Sequence, residues 1–598
     1  MKKKAAFFIP YFWSPHLETD LEIIHKHVSD GDEVIVYICN GELPTCYSNV
    51  SHDPHICNLC SLRRRNGFNL TGLIEKVHFK NFVSLTSDDL AIFKQFQGVV
   101  VHELSELLQI KLEQFFLGRT VYNELVSLRS ESEVDFTKEQ EYLTKAIESG
   151  ALVYLSFKNH FASTKPDIFY TFNGRFVIAQ PAVDAAVASG VPYAVHDRFA
   201  GVMNRYSLVQ NESLNNLSYW KDQIRTFWDE SKDTVEQRRS YGAKWFDDRA
   251  QGKKQGWFSF TADQESGLPK GFDTSKENVV VFVSSDWENT SSEYQLPFYD
   301  SQNEALLRLA NDLQGRDNLQ VYIRLHPNMK GKQNAQNAFI AEKITDKFPN
   351  VMVISPESAV STYALMVKVD LVITFGSTTG IEAAYHGVHS LLAGQALYED
   401  LGACTVAKSH EEIVQLISDR TYKLTDAELE HRKSNALRYG YFHQRAGYPY
   451  TIFEQTDIFE MKHTGALNYG RTITYDPPNY EEGLRRELAQ RLELSNEAPP
   501  SPLSGTVREL LETSDKLADE NSQLKAVIAQ LKEANRSMKT SLAESAQSKL
   551  VNNGQLTTAA TNEAELLSQE TSVDASSAES IQPKSSFRHK IKKLLGVQ

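Results

Sequence analysis

The sequence predicts an α/β protein in which two doubly wound domains face a cleft, followed by a coiled-coil helix and a disordered tail. Short β-branched runs alternate with helix-compatible segments between residues 5 and 39, and again between residues 278 and 387. A segment rich in Gly, Lys, Gln, Asp and Ser, residues 252–275, separates the two series. Such alternation is typical of parallel sheets covered by helices, which bind ligands at the carboxyl ends of their strands.

The composition is that of a globular protein, because 41% of the 598 residues are hydrophobic and 23% are charged. The net charge of -14 argues against nucleic acid as the main partner. No apolar run in the sequence is long enough to cross a bilayer, and five cysteines do not make a disulfide scaffold, so we expect a cytoplasmic protein. The N-terminus is interpreted as a buried strand, since Pro10 interrupts its apolar run.

The N-terminal domain, residues 1–270, opens with a predicted strand at Ala5–Ile9, a helix, and a second strand at Glu33–Cys39. The connection between the first strand and the helix would face the cleft, and its polar residues are His16, Glu18 and Asp20. A carboxylate or imidazole there could deprotonate an acceptor hydroxyl, which makes these three the candidate catalytic residues. Alternatively, the two acids only complement the positive end of the first helix.

A cysteine-rich insert follows the second strand. The Cys-x-x-Cys spacing of residues 57–60 suits structural zinc, for which the candidate ligands are Cys46, His55, Cys57 and Cys60. The second Cys-x-x-Cys pair of a typical zinc site is missing. Buried, reduced thiols are therefore the alternative.

The rest of this domain is predicted to be mainly helical from residue 70 to residue 150, with strands after that. Two of the later strands end in polar residues, and these are the candidate acceptor-side residues Asn173, Arg175, His196 and Arg198. Asn173 and Gly174 could instead form a simple turn, although a turn does not need an arginine.

The second domain, residues 276–420, repeats the strand–helix order, and its strands end in residue types that bind phosphate or sugar. After the predicted strand Leu371–Thr374, Gly376 permits a sharp turn and a helix begins at Thr379. Backbone N–H groups and hydroxyls would surround one point there, which suits a phosphate; alternatively, Ser377 is an ordinary N-cap. The candidate donor-binding residues are Ser284, Ser285, Arg324, His326, Ser377, Thr378, Thr379 and Glu382.

Four stretches carry a family resemblance: residues 16–20 (HLETD), 173–175 (NGR), 324–328 (RLHPN) and 376–382 (GSTTGIE). The His-Pro pair and the Ser/Thr turn resemble motifs of bacterial sialyl-, polysialyl- and Kdo-transferase-like enzymes. Together the four stretches resemble bacterial capsule polysaccharide biosynthesis proteins, over about residues 1–460. The resemblance implies the GT-B architecture, in which two Rossmann-like domains face a cleft.

The resemblance also implies a function. The chain would transfer a sugar from a nucleotide-sugar donor to a capsular or other cell-surface polysaccharide or its lipid-linked precursor. His326, Ser377 and Thr378 would bind the donor phosphates, and Glu382 the ribose or the sugar. Since no metal-binding Asp-x-Asp motif stands at a strand end, we expect neither a cofactor nor an active-site metal. An epimerase acting on the nucleotide sugar and a non-catalytic assembly scaffold are the alternatives.

The resemblance further implies that residues 421–475 form helices that pack back on the N-terminal domain. A linker, residues 476–505, would follow. Leucine then recurs at every seventh position within residues 506–546, which predicts a coiled coil and a homodimer; a single solvated helix is the alternative. Residues 547–582 are predicted to be disordered. Residues 583–598 are basic and amphipathic, which suits weak contact with a membrane surface or, alternatively, a solvated end.

Overall fold

The computed structural model describes residues 2–257, 264, 267–290, 296–464 and 472–474. These residues belong to one compact unit and form two large sheets with helices around them, plus a small three-stranded sheet. No helix within them is long and apolar enough to cross a membrane. The predicted linker, coiled coil, disordered segment and basic tail, residues 476–598, lie outside the described residues.

Sixteen strands are formed by the described residues, and in the central strands of the two large sheets runs of apolar and β-branched side chains fit a pleated, buried surface. They are β1 Lys4–Phe8, β2 Glu33–Ile38, β3 His78–Asn81, β4 Ile168–Phe172, β5 Tyr193–Arg198, β6 Arg205–Gln210, β7 Glu277–Phe282, β8 Leu319–Arg324, β9 Val351–Ile354, β10 Leu371–Thr374, β11 His389–Leu392, β12 Thr405–Val406, β13 Tyr448–Pro449, β14 Phe453–Asp457, β15 Glu460–His463 and β16 Thr472–Thr474.

Both large sheets have the strand order of a doubly wound fold. The first has the order β3-β2-β1-β4-β5-β6-β13, with parallel pairing from β3 to β5 and antiparallel pairing of β6 and β13 at one edge. The second has the order β9-β8-β7-β10-β11-β12 and is parallel throughout. Each sheet begins in its middle and grows first to one side and then to the other. The predicted fold class, two doubly wound α/β domains, is therefore confirmed.

Sixteen α-helices connect and cover these strands in the described part of the chain. They are α1 His16–Ser29, α2 Pro54–Leu70, α3 Ser87–Phe93, α4 Leu104–Gln109, α5 Leu117–Arg129, α6 Gln140–Thr164, α7 Gln180–Ala188, α8 Leu217–Asp229, α9 Val235–Ala250, α10 Asp286–Thr290, α11 Gln302–Leu313, α12 Ala335–Lys343, α13 Thr362–Met366, α14 Thr379–Tyr385, α15 His410–Asp419 and α16 Asp426–Arg445.

Two predictions about these elements need correction. The region from residue 70 to residue 150 is mainly helical, as predicted, but it also contains the edge strand β3, whose polar sequence His-Phe-Lys-Asn hides its strand character. Residues 421–475 return to the first domain, but among those of them that the structure describes α16 is the only α-helix. After α16 the chain adds β13 to the first sheet and then forms the small sheet of β14, β15 and β16.

The chain after residue 421 returns to the first domain through close contact between α9 and α16. A Cβ atom on Gly242 of α9 would lie 2.4 Å from the carbonyl oxygen of Leu437, and one on Gly440 of α16 would lie 2.3 Å from the carbonyl oxygen of Gly242. Only glycine lets two helix backbones approach this closely. The aromatic rings of Trp245 and Tyr439 pack beside this crossing and help to bury it.

Candidate active site

The candidate site is a cavity at the carboxyl ends of the strands of the second sheet. The strand order of this sheet reverses between β7 and β10, the position at which open parallel sheets bind ligands. The cavity has an empty volume of about 720 Å³, open to solvent on one side. Its walls come from the segments that follow β7, β8 and β10, and from the segment that follows α9.

His326 and Ser377, predicted to converge on one phosphate, both line this cavity. Nδ1 of His326 accepts a hydrogen bond from the backbone N–H of Asn328, 3.2 Å away, which fixes the orientation of the ring. Burial lowers the pKa of His326 to about 4. The imidazole is therefore neutral at pH 7 and acts as a hydrogen-bonding group, not as a cation.

The turn that follows β10 and the first residue of α14 contribute three hydroxyl-bearing residues to the cavity lining, Ser377, Thr378 and Thr379. Gly376 has a φ of +126°, a backbone conformation that favours glycine. Thr379 donates its backbone N–H and its hydroxyl to Oγ of Ser377, at 3.3 and 2.9 Å. Thr378, the residue before α14, has helical dihedral angles and makes no side-chain capping bond. The hydrogen bond from the backbone N–H of Thr379 to Oγ of Ser377 is of the kind that a capping serine accepts, so the alternative in which Ser377 is the N-cap stays open.

Glu382 lines the cavity, but its two oxygens already have partners. One accepts a hydrogen bond from Nε of Arg249 at 3.2 Å, and the other accepts one from the hydroxyl of Tyr363. The side chain of Glu382 is almost completely buried. In this structure Glu382 holds Arg249 and Tyr363 in the cavity wall, and each of its oxygens can accept one further hydrogen bond.

Arg324 was predicted to bind donor phosphate, but its guanidinium is used elsewhere. Its two terminal nitrogens donate to the backbone carbonyls of Ser355 and Ser358, the second at 3.1 Å. Burial lowers the pKa of Arg324 to about 10, so the group remains a cation at pH 7. The terminal nitrogens therefore hold the loop after β9 in place. Arg324 also lines the cavity, and its contact with a donor phosphate stays a prediction.

Ser284 and Ser285 were also predicted to bind the donor, and both lie beside the described lining of the cavity. The backbone of Ser284 exchanges hydrogen bonds with the side chain of Gln302, at 3.0 and 3.2 Å. The hydroxyl of Ser285 is fully buried and donates to Oδ1 of Asn328 at 2.6 Å. Ser285 therefore supports the loop that carries His326 and does not reach into the cavity itself.

The cavity residues that the sequence analysis missed include Arg249, Lys253 and Tyr363. Arg249 and Lys253 belong to the end of α9 and the segment after it, which was interpreted as the start of a linker. Tyr363 belongs to α13, which does not directly follow a strand end. A cluster of lysine, arginine and tryptophan directly after a helix was the available signal for the first two.

The predicted catalytic residues lie at the carboxyl edge of the first sheet, but they are buried. Asp20 accepts hydrogen bonds from the hydroxyl of Tyr11 at 2.6 Å and from Nε2 of His196 at 2.9 Å, and all three side chains are fully buried. Glu18 is also fully buried and forms an ion pair with Arg63 of α2. His16 packs against the ring of Phe172, and burial with the nearby Arg198 lowers its pKa well below the usual range.

The predicted acceptor-side residues meet around a carboxylate that the sequence analysis did not select. Asp197 accepts hydrogen bonds from the side-chain amide of Asn173 and from the backbone N–H of Arg198, both at 2.7 Å. Its side chain is 24% exposed, unlike Glu18 and Asp20. Arg198 lies over the ring of Trp257, which also lines the cavity of the second sheet. Asn173, Asp197 and Arg198 therefore lie on the side of the first sheet that reaches towards this cavity.

Arg175 and His196 complete the predicted acceptor-side set. Burial lowers the pKa of Arg175, and the carboxylates of Asp197 and Glu288 oppose that effect. Glu288 belongs to α10, directly after the first strand of the second sheet, so Arg175 lies close to the second domain. His196 is fully buried, and its bond to Asp20 places it in the interior of the first domain.

The cysteines make contacts that favour the alternative of reduced thiols. In the part of the chain that the structure describes, no group of three or more His, Cys, Asp or Glu side chains could hold a metal ion. The sulfur of Cys57 accepts a hydrogen bond from the amide of Asn49 at 3.2 Å. Burial raises the pKa of Cys46 well above its usual value and that of Cys60 to about 11. These thiols are therefore protonated at pH 7, and the four candidate zinc ligands, Cys46, His55, Cys57 and Cys60, are not assembled.

Comparison with known families identifies the second domain. Residues 275–442 match the family model of capsule polysaccharide biosynthesis proteins. The matched region contains the whole second sheet and every cavity residue that follows one of its strands. The resemblance to capsule polysaccharide biosynthesis proteins is thereby confirmed for this part of the chain. A comparison with curated proteins finds no match.

Solved structures give weaker likenesses. KpsC of Thermosulfurimonas dismutans, a beta Kdo 2,4 transferase, is 14% identical, with 45% of this chain and 79% of that chain covered and a TM-score of 0.30. The beta Kdo 2,7 transferase of the same KpsC is 13% identical, with coverages of 47% and 79% and a TM-score of 0.28. MnaA of S. aureus, in a structure with UDP, is 12% identical, with coverages of 74% and 94% and a TM-score of 0.25. Likenesses at these TM-scores carry no argument about function.

Proposed function

We propose that the chain is a glycosyltransferase that moves a sugar from a nucleotide-sugar donor to a growing capsular or other cell-surface polysaccharide or its lipid-linked precursor. One observation carries the proposal. His326 and the hydroxyl turn of Ser377 to Thr379 meet in one cavity where the strand order of a parallel sheet reverses, inside the region that matches the capsule polysaccharide family. Hydroxyls, a neutral imidazole and cationic side chains suit a nucleoside phosphate.

The chemistry follows from where charge develops. In glycosyl transfer the bond between the sugar and the phosphate oxygen breaks, and its electron pair goes to that oxygen. Hydrogen-bond donors fixed around the oxygen stabilise the transition state more than the ground state and so lower the barrier. The hydroxyls of Ser377, Thr378 and Thr379 and the ring of His326 are the groups placed to do this.

Donor binding is tested by a thermal-shift screen with CMP-, UDP-, GDP- and CDP-linked sugars. A ligand at a hundred times its dissociation constant adds about 2.7 kcal/mol to the stability of the native state, so one nucleotide class is expected to raise the melting temperature. The screen is run in EDTA, because we propose that donor binding needs no divalent ion. If no class raises the melting temperature, the proposal fails; if a shift needs added Mg²⁺, the metal-independent form of it fails.

The proposal of metal independence is supported by the composition of the cavity. Among the described residues that line it, Glu382 is the only carboxylate, and it is already paired with Arg249 and Tyr363. Magnesium usually binds through one or two carboxylates together with substrate phosphates. Arg249 and Lys253 offer positive charge for the phosphates instead.

The acceptor would bind at the carboxyl edge of the first sheet. Transfer requires a base that takes the proton from the acceptor hydroxyl as the new glycosidic bond forms. Glu18, His16 and Asp20 were the predicted candidates, but each would have to leave a buried environment to reach an acceptor. Asp197 is partly exposed and is held in place by Asn173 and by the backbone of Arg198, so Asp197 is the base we propose.

The homodimer and the membrane contact rest on sequence pattern alone. We propose that residues 506–546 pair as a coiled coil and that residues 583–598 of each chain touch an anionic membrane surface, so that two weak contacts act together. Deleting residues 583–598 is expected to reduce co-sedimentation with vesicles that contain anionic lipid. Unchanged co-sedimentation would contradict the membrane contact, and a monomeric full-length chain in solution would contradict the dimer.

A further inference from the structure

The basic side chains that line the cavity differ in the hydrogen-bond and ion-pair partners that they already have. Arg324 gives its terminal nitrogens to two backbone carbonyls, and His326 is neutral at pH 7. Arg249 is paired with Glu382, donates to Gln255 at 3.2 Å and lies over the ring of Trp245. Lys253 also lines the cavity, but its ammonium group is paired with an acid that is not part of the cavity lining, Asp248.

The backbone of Lys253 is fixed while its side chain is not. Gly252, with a φ of +67°, turns the chain directly after α9, and the backbone N–H of Lys253 donates to the carbonyl of Asp248 at 2.9 Å. Gln255 is buried, and its amide donates to the carbonyl of Trp245 at 3.1 Å. The side chain of Lys253, by contrast, is 54% exposed. Because its backbone is fixed and its side chain is exposed, Lys253 can change its ion-pair partner without rearrangement of the backbone.

Asp248 does not depend on Lys253 for a partner. Lys244, one turn earlier on α9, forms an ion pair with the other oxygen of Asp248. An ion pair as exposed as that of Lys253 and Asp248 contributes little to stability. The ammonium group can therefore leave Asp248 without leaving an unpaired carboxylate behind.

We propose that Lys253 binds the phosphate of the nucleotide donor and stabilises the charge that develops on the leaving oxygen. The inference rests on the proposed function and adds a specific residue to it. The ammonium moves from Asp248 to a phosphate oxygen of the donor in the cavity that Lys253 and the Ser377 turn both line. As the bond between sugar and phosphate oxygen breaks, the electron pair goes to the phosphate and Lys253 keeps its proton. The phosphate site is then built from both the second domain and the segment that follows α9.

The test compares two neighbouring lysines. Lys253→Met removes the ammonium group and keeps the length of the side chain. Lys254→Met is the matched control, because Lys254 is 67% exposed and pairs with Asp457 at 2.8 Å, outside the described lining of the cavity. Binding of UDP, CDP, GDP and CMP to the full-length protein is measured by calorimetry, from about 50 to 300 mM KCl. Melting temperatures of all variants are recorded to show that they are folded.

Lys253→Met is expected to weaken binding of the preferred nucleotide at least about tenfold and to lessen its dependence on salt, because a charge-assisted contact is lost. Lys253→Arg is expected to restore most of the affinity, and Lys254→Met to leave affinity unchanged. Equal affinity of Lys253→Met and the wild type overturns the inference and leaves the proposed function intact. If the wild type binds none of the four nucleotides, the proposed function fails, and the inference fails with it.

Discussion

Replacement of His326 by alanine is expected to lower turnover about 100- to 1000-fold with little change in stability, because it removes a hydrogen-bonding group from the point where phosphate charge develops. The ring lines the cavity and is oriented by the backbone N–H of Asn328. Since Nδ1 accepts that hydrogen bond, the neutral ring has its proton on Nε2 and can donate it to a phosphate oxygen. The measurement is the rate of nucleotide release from the donor that the thermal-shift screen identifies.

The pH dependence of the wild type provides a second check on this role. The pKa of His326 is lowered to about 4, so the ring keeps one protonation state from pH 5 to pH 8. Any change in rate within that range must come from another group.

His431→Ala, at an exposed position of α16, is the matched control for His326→Ala and is expected to keep full activity. A His326→Ala variant that turns over as fast as this control would contradict the phosphate role.

The fold and the position of the site could be predicted because both follow from local pattern. Leu371–Thr374 was predicted as a strand, and β10 has those bounds; a helix was predicted to begin at Thr379, and α14 begins there. Because parallel strands place their carboxyl ends at one edge, His326 and Ser377 were expected to meet although 51 residues separate them in the chain. The structure places both in one cavity.

The roles of individual residues were harder to predict, because they depend on partners that are distant in sequence. Glu382 has the expected position, but its partner Arg249 comes from α9, a helix 133 residues earlier in the chain. Arg324 stands at a strand end as expected, yet two carbonyls of the next loop take its terminal nitrogens. A single sequence shows the types of residues and their periodicity, but it does not show which buried polar side chains form ion pairs or hydrogen bonds with each other. These partners decide whether a polar residue is available to bind a ligand.

Glu18 also has a partner that the sequence did not reveal, and this partner indicates a structural role in place of the predicted catalytic one. Its carboxylate is fully buried, and it is paired with Arg63, whose side chain is only 4% exposed and also donates to Ser14 at 3.2 Å. Loss of one member of a buried ion pair leaves the other charge without its partner in a low-dielectric interior. The pair therefore fixes α1 against α2, and a structural role explains its burial better than a catalytic one.

Glu18→Ala is accordingly expected to destabilise the protein by about 3–5 kcal/mol, a large fraction of the stability of a typical domain. The measurement is the midpoint of unfolding in urea. Replacement of both partners, Glu18→Leu with Arg63→Leu, is expected to recover much of the loss, since no buried charge then lacks a partner.

Asp197→Asn should show the opposite behaviour, with an almost unchanged midpoint and strongly reduced turnover, because Asp197 is partly exposed and is the proposed base. A Glu18→Ala variant that unfolds at the wild-type midpoint but has no activity would return the catalytic role to Glu18 and remove it from Asp197.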